Sequence, residues 1–215
     1  TLSAAEPNPG DEIIENDESG IPDPYLYQCV LEILHKNEDE TFTKAEAATI
    51  DWIEIKTSKY PVKNFKGIGY FTNLQPLDLE NYGLKSLTNM EELPNLKMLS
   101  VVSNKIKDMD ALALGNFKNL EFLGVSDNQL STLNGIEVLS NLKWLYADYN
   151  KITDIKVLKK LNHLEYVDVS GNQLTSLKPL RNCLTLKKLN VNSNKIKSLK
   201  DLKKLKNLQE LDFSN

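Results

Sequence analysis

Few of the residues from which catalytic and metal sites are usually built occur in this sequence of 215 residues. Its two histidines, His35 and His163, stand far apart, and no group of cysteines and histidines has the spacing of a zinc site. The cysteines, Cys29 and Cys183, occupy apolar positions near opposite ends, so we expect two small core residues and no disulfide. Neither a G-x-S-x-G turn nor a phosphate-binding glycine loop is present. The sequence therefore predicts no metal, no cofactor and no enzyme.

Long hydrophobic segments and export signals are missing as well. No stretch approaches about 18 consecutive apolar residues, so no transmembrane segment is predicted. The chain begins at Thr1 and lacks the basic segment and apolar segment that make up a secretory signal peptide. Either such a peptide has been removed or the chain has been trimmed, and both possibilities stay open.

Leucine, by contrast, is abundant and follows a repeating pattern, L-x-x-L-x-L-x-x-N-x-L. One copy consists of Leu120, Leu123, Val125, Asn128 and Leu130. Copies follow one another at intervals of 22 or 24 residues and cover residues 50–215. Their first residues are Ile50, Leu74, Leu96, Leu120, Leu142, Leu164, Leu186 and Leu208. Similarity at a fixed interval over this length predicts a solenoid of stacked coils.

Each copy combines two different spacings of apolar residues. The L-x-L centre alternates apolar residues with others, as a β-strand requires. After the asparagine, apolar residues recur at every third position, as Ile152, Ile155 and Leu158 do, which suits short 3₁₀ turns. No coil can bury its apolar side alone, so neighbouring coils bury it for each other. The predicted fold is an α/β leucine-rich-repeat solenoid, right-handed, with a parallel β-sheet on the concave face and 3₁₀ or irregular segments on the convex face.

The asparagine of each copy is predicted to be structural. Its side chain both donates and accepts hydrogen bonds, so stacked asparagines can satisfy backbone groups that the turn leaves unpaired. The predicted ladder consists of Asn104, Asn128, Asn150, Asn172 and Asn194. Ser58 and Tyr82 stand at this position in the first two copies, so we expect those coils to be less regular.

Residues 21–49 do not follow the repeat and predict a short helical N-terminal cap. Asp23 and Pro24 are typical of a helix start with proline at the first helical position. Thr43 and Glu46 have the spacing of a capping box that opens a second helix. Such a cap is expected because the open end of a solenoid core must be covered.

The first twenty residues differ again in composition. Residues 1–20 are acidic, contain two prolines and two glycines, and have little apolar content. This composition is typical of disorder. The predicted organisation is therefore a disordered acidic tail or linker over residues 1–20, the cap, and a leucine-rich-repeat domain over residues 50–215.

Large side chains gather on the sheet face that points away from the leucine core. Adjacent strands lie about 4.8 Å apart, so the third residues of successive copies form a column. In chain order these are Trp52, Pro76, Met98, Phe122, Trp144, Tyr166, Lys188 and Glu210. Tyr146 lies one pleat along on the same face, Tyr149 lies at the rim, and Asp148 and Asp168 flank the aromatic residues.

Two interpretations of this face are open. Exposed apolar patches mark binding sites, tryptophan and tyrosine are favoured at interface hot spots, and acidic flanks suit a partner with basic or hydrogen-bond-donating groups. Alternatively, aromatic residues simply suit strands and stack on each other. We favour the first, with the candidate ligand-binding residues Trp52, Met98, Phe122, Trp144, Tyr146, Tyr149, Tyr166, Asp148 and Asp168. Asp148 and Asp168 could also pair across strands as a catalytic dyad, but an open sheet excludes water poorly.

Basic residues concentrate at the other end of the chain from the acidic ones. Residues 1–40 hold eleven acidic residues and one lysine, a net charge of −10, whereas residues 151–215 hold fourteen basic and six acidic residues, a net of +8. Many of these lysines fall between the apolar residues of the return segments: Lys156, Lys159, Lys160, Lys200, Lys203 and Lys204. No aromatic residue is interleaved with them to stack on bases. A solvated convex face is therefore predicted, and no nucleic-acid partner.

The copies resemble a known family of repeats. The segment from Asn150 to Leu161 is similar to the 22-residue repeats of internalin-like bacterial surface proteins, and the segments that begin at Ile21 and Thr43 resemble their N-terminal cap. The resemblance implies a secreted or cell-surface protein that binds a protein partner through its concave face. A glycan-binding surface protein and a structural spacer within a larger surface protein are the alternatives.

The last copy is incomplete. It contains Leu208, Leu211 and Phe213 and stops before its asparagine position, without a capping helix. An uncovered edge strand invites pairing with another chain. The sequence therefore predicts that the natural chain continues beyond this point, or that this end dimerises or frays.

Overall fold

The computed structural model of this chain describes residues 8–55, 59, 61–88, 90–109 and 114–214. A 3₁₀ turn at Pro9–Asp11 comes first. The elements that follow are strand β1 (Ile13–Ile14), helix α1 (Pro24–Ile33), strand β2 (Phe42–Thr43) and helix α2 (Lys44–Ala48). Strands β1 and β2 form a small antiparallel sheet in which Ile14 lies opposite Phe42.

Both predicted helix starts are confirmed. One carboxylate oxygen of Asp23, Oδ1, accepts hydrogen bonds from the backbone N–H groups of Tyr25 and Leu26 at the start of α1. At the start of α2, Thr43 and Glu46 form a complete capping box. These bonds satisfy N–H groups that have no partner within a helix, which is why each helix begins where it does.

Residues 8–20 are part of the cap, so the prediction of a disordered tail over residues 1–20 is wrong for them. Ile14 is only 1% exposed and joins the core that runs through the cap and the coils. Its backbone carbonyl accepts a hydrogen bond of 3.0 Å from the Tyr27 hydroxyl. The acidic composition hid a two-residue strand that is stabilised by its contacts with α1 and β2. Residues 1–7 lie outside the described residues.

Replacing Ile14 tests this arrangement. We expect Ile14→Ala to lower the free energy of unfolding by about 2 kcal/mol, because a buried side chain is removed from a packed site. Its neighbour Ile13 is 49% exposed, so Ile13→Ala should change the free energy by less than about 0.5 kcal/mol. Urea unfolding followed by circular dichroism compares the two. Equal effects would show that residues 13 and 14 do not pack as described.

The coils form one parallel sheet of seven strands in sequence order. The strands are β3 (Pro76–Asp78), β4 (Met98–Ser100), β5 (Phe122–Gly124), β6 (Trp144–Tyr146), β7 (Tyr166–Asp168), β8 (Lys188–Asn190) and β9 (Glu210–Asp212). Their register places the third residues of successive copies side by side, from Pro76 to Glu210. The predicted leucine-rich-repeat solenoid is therefore confirmed.

The return segments contain the predicted 3₁₀ turns. They occur at Ile68–Tyr70, Ile136–Val138, Lys156–Lys160, Lys178–Asn182 and Lys200–Leu202. The leucines between the lysines point inward, and Leu158 and Leu180 are completely buried. The lysines lie on the outside because the 3₁₀ spacing of these turns directs the leucines between them toward the core.

The ladder asparagines share one hydrogen-bond pattern. The Asn150 amide donates to the backbone carbonyls of Val125, Ala147 and Asp148 and accepts from the Leu130 N–H, so it joins neighbouring coils. The same bonds recur one coil apart at Asn104, Asn128, Asn172 and Asn194.

The first coils depart from this pattern. At the equivalent position Tyr82 donates its hydroxyl to the Ile55 carbonyl over 2.6 Å, and its ring contacts Phe65 edge-on at 5.4 Å between centroids. A tyrosine therefore takes over the link between coils. Ser58, where irregularity was also predicted, lies outside the described residues.

Both cysteines lie in the core. Cys29 and Cys183 are free and buried, and burial raises the pKa of each thiol to about 11.

Strand β9 is exposed along its length and has one neighbouring strand, β8, among the described residues. Association or fraying at that edge stays a prediction.

Candidate binding face

The candidate face is the concave surface of strands β4–β7. Its third-position column contains Met98, Phe122, Trp144 and Tyr166, which the sheet register places next to one another. Trp144 is 37% exposed, and the other three are half-buried. Trp52 is 56% exposed but lies outside the strands, two coils away from Met98. The structure thus brings together the central residues of the predicted site and leaves Trp52 apart from them.

Three rings on this face stack on each other. The Tyr146 ring lies between those of Phe122 and Tyr166, with centroid distances of 5.2 and 4.6 Å. Gly124 is the register partner of Tyr146, and a Cβ there would lie in ordinary van der Waals contact with the Phe122 ring, at 3.4 Å. The ring faces are therefore largely occupied by one another, which gives the centre of the face a rigid aromatic base.

Trp144 is held differently. The Lys143 ammonium lies 5.8 Å from the centre of the indole ring, and it forms an ion pair of 2.7 Å with Glu121. A cation at this distance is attracted to the negative face of the ring. Trp144 therefore lies beside a lysine that is paired with Glu121, and it keeps more than a third of its surface exposed.

The two flanking aspartates have unequal environments. Asp168 is buried and accepts hydrogen bonds from the Ser170 N–H and hydroxyl and from the Asn190 amide. Asp148 is half-buried and accepts a hydrogen bond from the Ser126 hydroxyl. Asp168 is thus a structural anchor, and Asp148 keeps an oxygen for a partner. The register pairs Asp168 with Tyr146 and Asn190, so the two aspartates are not directly opposite each other.

Burial and then the charge of Asp168 raise the pKa of Tyr166 well above that of a free phenol. Its hydroxyl lies 3.5 Å from the Asp168 carboxylate. The Tyr166 phenol therefore stays protonated to a higher pH than a free phenol does.

A second asparagine ladder lies at the edge where the strands begin, and the sequence analysis missed it. Each of these amides donates to a backbone carbonyl of the preceding coil: Asn73, Asn95, Asn119, Asn141 and Asn207. The available signal was an Asn-Leu pair at the first position in five of the eight copies. His163 stands at this position in one coil and is exposed. A groove of about 420 Å³ lies there, lined by Asn95, Lys97, Asn119, Glu121, Asn141, Lys143 and His163.

Comparisons with known proteins agree with this geometry. Family models described as "Leucine rich repeat" and "Leucine Rich repeats (2 copies)" match residues 94–152 and 140–182. The crystal structure of internalin C2 from Listeria monocytogenes superposes with a TM-score of 0.81 and 29% sequence identity, over 100% of this chain and 93% of that one. The chain is an internalin-like leucine-rich-repeat protein.

A second solved structure is more distant from this internalin-like protein. A leucine-rich-repeat protein of Leptospira interrogans has a TM-score of 0.63 and 26% identity, over 77% of this chain and 49% of that one. Comparison with curated protein sequences gives no significant match. Leucine-rich-repeat proteins generally mediate protein–protein interactions, and their fold is typically a non-enzymatic scaffold.

Two further properties bear on the function of this internalin-like protein. Across the part of the chain that the structure describes, no three His, Cys, Asp or Glu side chains are grouped so that they could bind a metal ion. Within the same residues, every helix is too short or too polar to cross a membrane.

Proposed function

We propose that this protein is a non-catalytic binding module that binds a protein partner through the concave aromatic face, defined as Met98, Phe122, Trp144, Tyr146 and Tyr166. The observation that carries the proposal is the partly exposed Trp144 beside a stack of three rings. Rings that are already immobilised lose little conformational entropy on binding. Tryptophan and tyrosine on such a base are typical of interface hot spots.

The chemistry of the carboxylates supports binding rather than catalysis. Every hydrogen bond to Asp168 stabilises the sheet, and Asp148 lies on an open surface. Proton transfer and nucleophilic attack by carboxylates depend on a site that excludes water, which an open sheet provides poorly.

A glycan is the second candidate ligand, and one observation favours it. The groove of about 420 Å³ beside Lys143 is lined by amides and charged groups that suit sugar hydroxyls. Sugars, however, stack on exposed ring faces, and Phe122, Tyr146 and Tyr166 cover each other's faces. A protein partner, which needs shape complementarity and a few anchors, fits this surface better.

We also propose that the protein is secreted or displayed on a bacterial cell surface. The support is its likeness to internalin C2 over the whole chain. Fractionation of cells that express the native gene, with detection in the medium, the wall and the cytosol, tests this. Recovery in the cytosol alone would contradict it.

Substitution of Trp144 tests the proposed function. Wild-type protein and Trp144→Ala are applied to arrays of purified extracellular proteins and of glycans, and each hit is measured by calorimetry. We expect a protein ligand whose binding weakens about 30-fold in Trp144→Ala, which corresponds to about 2 kcal/mol at a hot spot. Lys203→Ala, an exposed change on the convex face, is the control and should leave binding unchanged. If glycans bind and no protein does, the glycan ligand is favoured. If the affinity of every ligand is the same for wild type and Trp144→Ala, both the protein ligand and the glycan ligand at this face are contradicted.

A further inference from the structure

The turn that follows each strand has one repeated backbone conformation. The residue before the ladder position, which is Tyr82 in one coil and asparagine in the others, has a positive φ of 50–63° in six coils: Asn81, Ser103, Asp127, Tyr149, Gly171 and Ser193. This left-handed region is unfavourable for most side chains and is adopted mainly by glycine, asparagine and aspartate. Tyr149 is the large residue in the series, and its side chain is 68% exposed. A bulky aromatic residue is thus placed on the surface at a position where the backbone disfavours it.

The next coil supports the Tyr149 ring. Gly171 occupies the equivalent turn, and a Cβ there would lie 2.9 Å from Cδ1 and 3.2 Å from Cε1 of Tyr149. The ring therefore rests against the Gly171 backbone, which only glycine permits. Contact on this one side leaves most of the ring surface available to a ligand.

Two aspartates without ion pairs are neighbours of Tyr149, one in the preceding coil and one in the chain. Asp127 occupies the same turn position one coil earlier, and its N–H donates to the Asp148 carbonyl over 3.0 Å. Asp127 is exposed, and Asp148 precedes Tyr149 in the chain. Among the described residues, neither carboxylate lies within ion-pair distance of a basic group.

At the opposite edge of the same face, by contrast, carboxylates form ion pairs with lysines. There Glu121 pairs with Lys143 and Glu165 pairs with Lys187, each at 2.7 Å. At the edge where the strands begin, these carboxylates are therefore paired with lysines, whereas at the edge where the strands end Asp127 and Asp148 have no ion pair among the described residues. A partner that docks on the concave aromatic face brings its own groups against these unneutralised carboxylates.

We propose that the tyrosine rim, defined as Asp127, Asp148 and Tyr149, binds an arginine side chain of the protein partner. The inference rests on the proposed function, because the rim adjoins the concave aromatic face through Asp148. A guanidinium group is planar, so it can stack on the Tyr149 ring while its N–H groups donate to the carboxylates. Lysine offers a point charge that cannot stack in this way, and it therefore binds the rim more weakly.

A peptide selection provides the probe. A library of random dodecapeptides displayed on phage is selected on immobilised wild-type protein, and the enriched peptides are synthesised. We expect arginine to be enriched in these peptides and the affinity to fall as the salt concentration rises. Replacing the key arginine by citrulline, which keeps the shape without the charge, should weaken binding about 10-fold, and replacing it by lysine should weaken it less.

Variants of the rim locate the site. Asp148→Asn and Tyr149→Gly should each weaken the arginine peptide about 10-fold, and the citrulline peptide should not distinguish Asp148→Asn from wild type. Because glycine relieves the backbone at φ 50°, Tyr149→Gly should leave the thermal midpoint unchanged or raised, which separates binding from folding. Ser193→Gly, the same change in a distant coil, and Glu165→Gln, the same charge change at the opposite edge, are the controls and should bind normally.

The outcomes separate the inference from the proposed function. Peptides that need Trp144 but bind the rim variants normally would overturn the arginine site and leave the concave face as the binding surface. Enriched peptides without arginine, or no enriched peptide at all, would also overturn it. If the peptides bind the Trp144→Ala variant and the rim variants as tightly as wild type, both the arginine site and the proposed function are contradicted.

Discussion

Leu145→Ala is expected to lower the free energy of unfolding by about 2–5 kcal/mol, whereas Trp144→Ala should lower it by only about 1 kcal/mol. The two residues are neighbours in β6 and point to opposite faces of the sheet. Leu145 is fully buried between its register partners Leu123 and Val167, so truncation leaves a cavity in the core. Trp144 loses only its contacts on the open face, chiefly those with Lys143.

Urea unfolding of the two variants and the wild type, followed by circular dichroism, measures these free energies. The pair is an internal control because both substitutions remove a large side chain from the same short strand. If Trp144→Ala destabilises as much as Leu145→Ala, the indole ring belongs to the core, and the concave aromatic face loses its exposed anchor.

Asn150→Ala should lower the free energy of unfolding by about 3 kcal/mol or more. The substitution removes an amide that bonds three carbonyls and one N–H. Asn150 is buried, and each buried polar group left without a partner costs about 1–3 kcal/mol. The effect should extend to both neighbouring coils, because Val125 and Leu130 belong to the preceding coil and Asn172 bonds the carbonyl of Ala147.

Asn141→Ala is the matched control for this prediction. Asn141 belongs to the second asparagine ladder, at the edge where the strands begin. It is exposed and donates one hydrogen bond to the Lys118 carbonyl. Water can replace that bond, so the loss should stay below about 1 kcal/mol. Hydrogen exchange should show faster exchange at the Leu130 amide in Asn150→Ala only. If the two variants have similar free energies of unfolding, the ladder that contains Asn150 does not stabilise the stacking of neighbouring coils.

The sequence was enough to predict which residues of the binding face lie side by side. It was not enough to predict which of their side chains are exposed. Phe122, Trp144 and Tyr166 are side by side because a 22-residue interval returns the chain to the same place in the next coil. That the Tyr146 ring lies between two of these rings follows from the packing of neighbouring coils and not from the repeat pattern. Asp168 looked like part of an acidic flank, yet its position beside Ser170 and Asn190 makes it a buried structural group.

The repeat by itself determined the solenoid, the parallel sheet, the inner asparagine ladder and the face on which each third-position residue lies. Those features follow from local periodicity, which one coil imposes on the next, and no distant contact is required. The tertiary structure alone decided the course of residues 8–20, where a two-residue strand is too short to be stable without the packing of Ile14 beside β2. It also decided that Tyr149 is supported and exposed, because the ring is held by Gly171, a residue one coil and 22 positions away.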